Sequence, residues 1–332
     1  MKLFKIFPVL FVVVLFVMLM PASCSKTGYT LITTAADSST QIIIANDELN
    51  VNYEFDQAIN EALLATGISK IASGDSLIIS GGPYNTINNV IIDTTHLLDS
   101  SLIRLTYAGK TADQTKGRSG SITLQYATDN NGKIIPWKNP GASITATFSQ
   151  YEVVLLSNNN SIWMNGTATI TNVSGGLLKT PANINLQAGS SLKDKVSGQI
   201  TFTYNDNVVQ IVTWTWGIDQ ARTFSMQNAQ LTSSITGDTT VSSISNVSTT
   251  GLTRFNDNFY TSVLSPIVQT ISSTFTLTNP VSGEKIIHGI KEPIDVTYGV
   301  NSLGQPVSTG TPYGYKIAWT SNGINAKSIV SY

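Results

Sequence analysis

The sequence predicts an all-β protein with one short N-terminal helix, an antiparallel meander that forms a large sandwich or one long curved sheet. Three observations lead there. Runs of alternating apolar and polar residues, broken by Asn, Asp and Gly, recur from residue 101 onward and describe antiparallel hairpins. Polarity comes from Ser, Thr and Asn, while Asp, Glu, Lys and Arg make up only 12% of the chain. Thr, Val, Ile and Tyr suit a pleated surface, and Ser and Asn suit its turns. No strand–helix–strand rhythm occurs, so a parallel α/β sheet is not expected.

Lys2 and Lys5 precede an apolar run from Ile6 to Met20, followed by Pro21-Ala-Ser-Cys24. A basic start, a short apolar stretch and small residues make a secretory leader. The run falls short of the roughly 20 residues a bilayer span needs, which leaves a retained span as the weaker alternative. Residues 24–50 carry no long period and read as a tether, with Gln41-Ile-Ile-Ile44 as a short first strand. Phe55 to about Ile68 is the one convincing helix. Phe55, Ala58, Ile59, Ala62 and Leu63 share a face, and Gly67 supplies the stop. Such a stripe predicts core packing.

Strands are then expected at Leu77–Ser80 and Ser101–Tyr107, and around Ile122, Leu124 and Tyr126. Asp129-Asn-Asn-Gly132 is a turn, and Ile144, Ala146 and Phe148 mark the next strand. Ile200, Phe202 and Tyr204 lead through Asn205-Asp-Asn207 into Val208–Trp216, and Phe275 and Leu277 alternate with Thr near the end. The layout is a signal peptide at 1–23, a tether at 24–50 and one β-rich domain at 51–332. A candidate sub-boundary lies near 236–266.

Cys24 is the only cysteine and stands at the cleavage point. It resembles the lipobox of bacterial lipoproteins, in which that thiol takes a palmitate-type lipid and becomes the new N-terminus. Ala22 and Ser23 fit, whereas Pro21 stands where leucine is usual. The alternative is a plain leader cleaved after Ala22 or Ser23, which leaves a free thiol in an oxidising compartment. The resemblance implies a protein of the bacterial cell envelope, held at the outer membrane through its N-terminal lipid. Ser25-Lys-Thr-Gly-Tyr29 lacks the acidic run that resembles a surface-export signal, which favours the periplasmic face.

A formal net charge of −1, with no basic cluster, argues against nucleic acid as a partner. With one cysteine no internal disulfide can form, so stability must come from a buried core, which a chain this long can build. Gly117-Arg-Ser-Gly-Ser-Ile-Thr-Leu-Gln-Tyr126, Pro140-Gly-Ala-Ser-Ile-Thr-Ala-Thr-Phe148 and Met164-Asn-Gly-Thr-Ala-Thr-Ile-Thr-Asn172 together resemble a group of lipoproteins of Bacteroidota-type envelopes. Their pattern is a Gly-Arg-x-x-Gly strand, a Pro-Gly strand rich in Val, Thr and Phe, and a Gly-Thr-x-Thr-x-Thr-Asn strand. The similarity extends to Val90-Ile-Ile-Asp-Thr-Thr95, Gly198–Thr203, Val212–Trp216 and Ala221-Arg-Thr-Phe224. This chain lacks the later cysteines such relatives often carry. The group has no established activity, so the resemblance implies an envelope location and a β fold.

Candidate chemistry is sparse. Gly74-Asp-Ser-Leu77 and Asp93-Thr-Thr-His96 spell two blocks of GDSL esterases, but a serine nucleophile needs a base in reach and an oxyanion hole. The short spacing and β-rich context do not match that family, so the first block reads as a turn. His96 and His288 are the only histidines, too few for a zinc cluster with Cys24 lipidated. Asp129-Asn-Asn-Gly132 and Asn205-Asp-Asn207 are explained as turns rather than calcium loops. Glu152, Asp219, Glu284 and Glu292 are the acids nearest strands, and nothing selects a pair of them for glycoside hydrolysis.

Trp214 and Trp216 lie two apart and share a strand face with Val212. Together with Trp137, Trp163 and Trp319 they could form a platform for sugar rings, but three large apolar residues on one face predict a buried side. Asp75-Ser-Leu77, Asp93-Thr-Thr95 and Asp238-Thr-Thr240 resemble an O-glycosylation acceptor pattern. The expectation is a non-enzymatic envelope lipoprotein, structural, adhesive or ligand-binding, with no cofactor or metal and with a glycan or envelope protein as candidate partner. The alternative is an envelope hydrolase acting on glycan or ester substrates.

Overall fold

The computed structural model describes residues 39–68, 87, 89–111, 113–177, 191–205, 211–227, 230–272 and 276–332. The leader, Cys24, the Ser76 block with its expected strand, Asp206–Val208 and Phe275 lie outside the described residues. The elements are helix α1 (Ser39–Ile68), β1 (Val90–Asp93), a short helix α2 (Leu97–Ser100), β2 (Leu102–Lys110), β3 (Lys116–Tyr126), β4 (Ser143–Leu155), β5 (Ser161–Asn172) and β6 (Ser191–Asn205). There follow β7 (Val212–Gln227), β8 (Gln230–Gly237), β9 (Thr239–Val241), β10 (Ile244–Leu252), β11 (Asn258–Ile271), β12 (Ser282–His288), β13 (Ile294–Val300), β14 (Gly314–Ser321) and β15 (Ile324–Ser331).

All fifteen strands belong to one sheet, and its ladders are antiparallel throughout. The fold is therefore the long single sheet rather than the sandwich. Sequence order is spatial order, with one exception between β7 and β11. There β10 bridges the two strands at one end, with Thr250 opposite both Gly217 and Tyr260. β8 bridges them at the other end, with Ile235 opposite both Arg222 and Ile267. β10 and β11, which make up much of residues 236–266, thus each pair with strands on two sides.

Alternation places Ile122, Leu124 and Tyr126, Ile144, Ala146 and Phe148, and Ile200, Phe202 and Tyr204 on the buried face. Asp129-Asn-Asn-Gly132 is the expected turn: the Asp129 carboxylate accepts from the backbone N–H groups of Asn131 and Lys133, each at 2.9 Å.

The buried face of the sheet packs on α1, which differs from the expected helix in two ways. It begins at Ser39, so Gln41–Ile44 is helical rather than a strand, and residues 39–50 belong to the core instead of a tether. β-branched residues lower helix propensity by only a few tenths of a kcal/mol each, and burying Ile42 and Ile44 outweighs that. The helix is also enclosed on more than one side. Its apolar stripe is buried as expected, but so are Asp47, Glu48, Glu54, Asp56 and Glu61.

Each of these acids meets a cation supplied by the sheet. Glu54 pairs with Lys116 and Glu61 with Arg118, both from β3. Asp56 pairs with Arg222 of β7, Glu48 with Lys285 of β12, and Asp47 with Arg254 just after β10. Glu54 and Asp56 are two residues apart and so point to opposite sides of a helix. The strands that answer them, β3 and β7, must therefore flank α1, which is how the sheet wraps it.

The Glu48–Lys285 pair, with both side chains only 2% exposed, gives a direct check. Removing one partner of a buried pair leaves an uncompensated charge, so Lys285→Met is expected to cost about 3–5 kcal/mol in urea unfolding. Adding Glu48→Leu to that variant should restore most of the loss. A double variant as unstable as the single one would show that the pair's charge is not what matters.

Candidate functional site

Beside α1 the core leaves a cavity of about 230 Å³. Leu49, Asn52, Tyr53 and Asp56 line it; their spacing of three and four places them on one helical face. Residues from both flanks of the sheet close it, including Lys116, Gln269, Lys285 and Tyr298. The wall carries both signs of charge, and every ion pair is made within the protein. Lys116 and Lys285 also sit over the rings of Tyr53 and Tyr298, 4.5 and 5.4 Å from the ring centroids.

Two amides on this wall are held in one orientation. Asn52 Nδ2 donates to Glu48 Oε1 at 2.7 Å, and Gln269 Nε2 donates to the Thr278 carbonyl at 3.3 Å. A carboxylate and a carbonyl can only accept, so the amide oxygens must face away from them. Asn52 Oδ1 and Gln269 Oε1 are buried and meet no hydrogen-bond donor among the described residues. Gln269 is only 2% exposed.

A second electrostatic feature lies deeper. Asp194 of β6 stands opposite Arg222 of β7, and Arg222 also bonds Asp56 and Gln220 Oε1. One guanidinium therefore serves two buried carboxylates. Burial raises Asp56 despite Arg222 beside it, and burial pushes Asp194 up to about 7. It also lowers Arg222, the direction expected when too little water reaches three ionisable groups.

Trp214 and Trp216 lie in the core, at 4% and 2% exposure, stacked with centroids 5.9 Å apart. Phe202 and Phe259 pack on Trp216 at 5.2 and 5.1 Å, and its indole N–H donates to the Leu252 carbonyl. A sugar platform needs exposed rings, so the buried-side expectation is the one that describes these two. Trp137 and Trp319 are buried as well, whereas Trp163, 40% exposed, stands on the outer face.

The candidate acids are not brought together. Glu152 accepts from Ser119, and Glu292 accepts from Gln41 and Ser321. Asp219 lies near Asp238, which raises it further beyond its desolvation. Glu284 sits on β12, opposite Ser265 and Thr297.

His96 is an exposed partner of Asp99. His288 Nε2 lies 2.8 Å from Ser262 Oγ, a contact that sequence spacing did not reveal. Burial lowers His288, Tyr260 stacks on its ring, and Ser262 is 1% exposed. A buried hydroxyl whose base meets no orienting acid among the described residues is not an accessible nucleophile. Among the described residues no group of three metal-ligating side chains occurs, and no helix is long and apolar enough to cross a membrane. Comparison with family models, curated proteins and solved structures gave no match.

The resemblance motifs acquire structural roles. Arg118 and Arg222 are two of the helix-binding cations. Asn172 ties its strand to a neighbouring loop, donating to the Trp137 and Gly176 carbonyls and accepting from Gly175 N–H. Gly120, one residue closer to Arg118 than the Gly-Arg-x-x-Gly spacing has it, adopts φ +84° at a bulge. A Cβ there would stand 2.0 Å from the Gln150 carbonyl oxygen.

Two outcomes test this reading. Asp194 is raised in the fold from 3.8 to about 7, so in that window the folded state keeps a proton the unfolded chain has lost. Stability should therefore fall as pH rises from about 4 to 7 and level off above. Asp194→Asn should flatten that part of a urea-midpoint profile, and an unchanged slope would remove Asp194 as its source. Trp214→Ala should cost about 3–5 kcal/mol through lost burial and the cavity left behind. A variant with an unmoved Tm and weakened polysaccharide binding would reverse the core assignment.

Proposed function

We propose that this chain is a lipid-anchored, non-enzymatic protein of a bacterial cell envelope whose folded part serves as a binding module for a small ligand. The observation that carries binding over a structural or adhesive role is the cavity beside α1, whose wall mixes charged and polar side chains with a larger apolar surface. Unfilled volume in a core forfeits packing contacts, so a scaffold gains nothing from it. The volume exceeds the roughly 150 Å³ that suffices to hold benzene in an engineered core.

The anchor rests on the leader and on Cys24, and the periplasmic face of the outer membrane on the residues that follow it. The likeness to envelope lipoproteins of Bacteroidota-type bacteria points the same way. For the hydrolase alternative the nearest feature is the Ser262–His288 contact, whose hydroxyl is buried and whose imidazole meets no acid among the described residues.

Cys24→Ala tests the anchor. Metabolic labelling with a palmitate analogue should mark the wild-type chain and not the variant, and the variant should leave the membrane fraction, because acyl chains supply about 0.8 kcal/mol per buried CH₂. A variant that still labels and sediments with membranes would refute lipid attachment at that thiol.

A further inference from the structure

We infer that the cavity beside α1 takes a small, uncharged aromatic molecule, the size of a fused ring pair. The inference rests on the binding reading above and adds the chemistry of the ligand.

The wall supplies rings. Tyr298 of β13 stands opposite Tyr315 of β14 with centroids 6.3 Å apart, and Tyr315 lies 5.8 Å from Tyr332. All three line the cavity, as does Tyr53 of α1. The row runs outward from the buried Tyr298 and Tyr315 to the exposed Tyr332, which with the exposed Asn279 marks the mouth. Aromatic pairs favour offset or edge-on contacts with centroids about 4.5–7 Å apart, so a guest ring entering there continues a row already in place. Leu49, Leu155 and Ile267, each only partly buried, add an aliphatic surface to the same wall. Taking that surface out of water drives the binding. Size follows from volume: if roughly 150 Å³ holds benzene in an engineered core, the 230 Å³ here holds about nine carbon atoms.

The charged and phenolic groups of the wall are already engaged. Lys116 pairs with Glu54, Lys285 with Glu48 and Asp56 with Arg222. Tyr53 donates its hydroxyl proton to the Leu277 carbonyl. The Tyr332 hydroxyl donates to the Pro280 carbonyl and accepts from Gly299 N–H. The unmet oxygens of Asn52 and Gln269 are sealed behind the surface and offer a guest nothing. A polyol would therefore bury hydroxyls without partners, and an ion would bury its charge without a counterion. Both are costly. An organic cation meets a further obstacle, because Lys116 and Lys285 already lie over the Tyr53 and Tyr298 rings and would repel it.

The test uses the full Cys24→Ala chain, because the detergent a lipidated form needs would compete for an apolar site. Calorimetry and thermal melting should follow five probes: indole, octanol, glucose, benzoate and benzylammonium. Indole should bind, raise Tm and give a negative heat-capacity change. The other four should bind at least about tenfold more weakly. Tyr332→Leu should weaken indole about fivefold, one aromatic contact's worth. Leu49→Trp, which fills the space from the helix side, should abolish indole binding with far-UV circular dichroism unchanged. Tyr332 is exposed, so its variant serves if Leu49→Trp fails to fold. Octanol binding as tightly as indole would overturn the aromatic class and keep the binding module. So would binding of glucose, benzoate or benzylammonium without indole. Binding by no probe overturns the class, and if Leu49→Trp then stabilises the fold, the binding reading falls with it. Indole binding untouched by both substitutions would place the site elsewhere and overturn this assignment.

Discussion

An isolated α1 would be a poor helix. Asp47, Glu48, Glu54, Asp56 and Glu61 put five carboxylates on a segment with no Lys or Arg, which removes the opposite-sign i,i+4 pairs that support solvated helices. Enclosed by the sheet, the same residues become its attachment points. Lys116, Arg118, Arg222, Arg254 and Lys285 reach in from β3, β7, β12 and the β10–β11 turn. Neither partner tolerates the other's absence, since five cations pointing into an apolar sheet interior would be as costly as five bare carboxylates. Helix and sheet must therefore fold together.

What such pairs contribute is placement more than net stability. Desolvation offsets much of the attraction in a buried pair, while a mismatched arrangement leaves charges unpaired and is strongly penalised. Contacts distributed along α1 from Asp47 to Glu61 and to both of its sides fix its rotation and its axial position. The sheet must then curve around it, and the curvature has local causes. Register shifts occur between Ser119 and Ser121 in the β3–β4 ladder and between Phe148 and Tyr151 in the β4–β5 ladder. Gly120 faces the bulged Gln150, whose φ is +48°. On the next strand Gly166 lies 2.3 Å, measured from the position a Cβ would occupy, from the Gln199 carbonyl oxygen. Bulges and glycines lined up across neighbouring strands bend a sheet.

The strand half of this architecture was legible because alternation survives wherever one face is buried. Ile122, Leu124 and Tyr126 and Val212, Trp214 and Trp216 follow that rule. The helix was legible only where its apolar stripe was clean, from Phe55 onward. Upstream, Ile42-Ile-Ile44 has strand propensity, and acids and amides interrupt the period, so tertiary burial decided the conformation against local preference. One signal was there to be used: a helix-length segment with acids of one sign only is not a solvated face, which normally interleaves both signs. The ion-pair partners were not legible, since Glu48 and Lys285 are 237 residues apart and nothing in local pattern joins them. The Ser262–His288 contact and the Gln269 acceptor are equally products of long-range pairing.

The cavity follows from the same constraint. With α1 held by its acids, its rotation cannot adjust to maximise apolar contact, and the side carrying Leu49, Asn52, Tyr53 and Asp56 meets the sheet at a distance. Had those positions been Leu or Ile, collapse would be expected to close the gap, as it does where Phe55, Ile59 and Leu63 meet the strands with no exposed surface left beyond 1%. Polar residues there resist collapse because each already has a fixed partner: Asn52 bonds Glu48, Tyr53 bonds the Leu277 carbonyl, and Asp56 bonds Arg222. Closing the space would break those bonds and leave buried groups unpaired, at a cost comparable to the packing regained. The ion pairs that position the helix therefore also keep a space open beside it, walled by paired charges and by apolar side chains such as Val153 and Ile162.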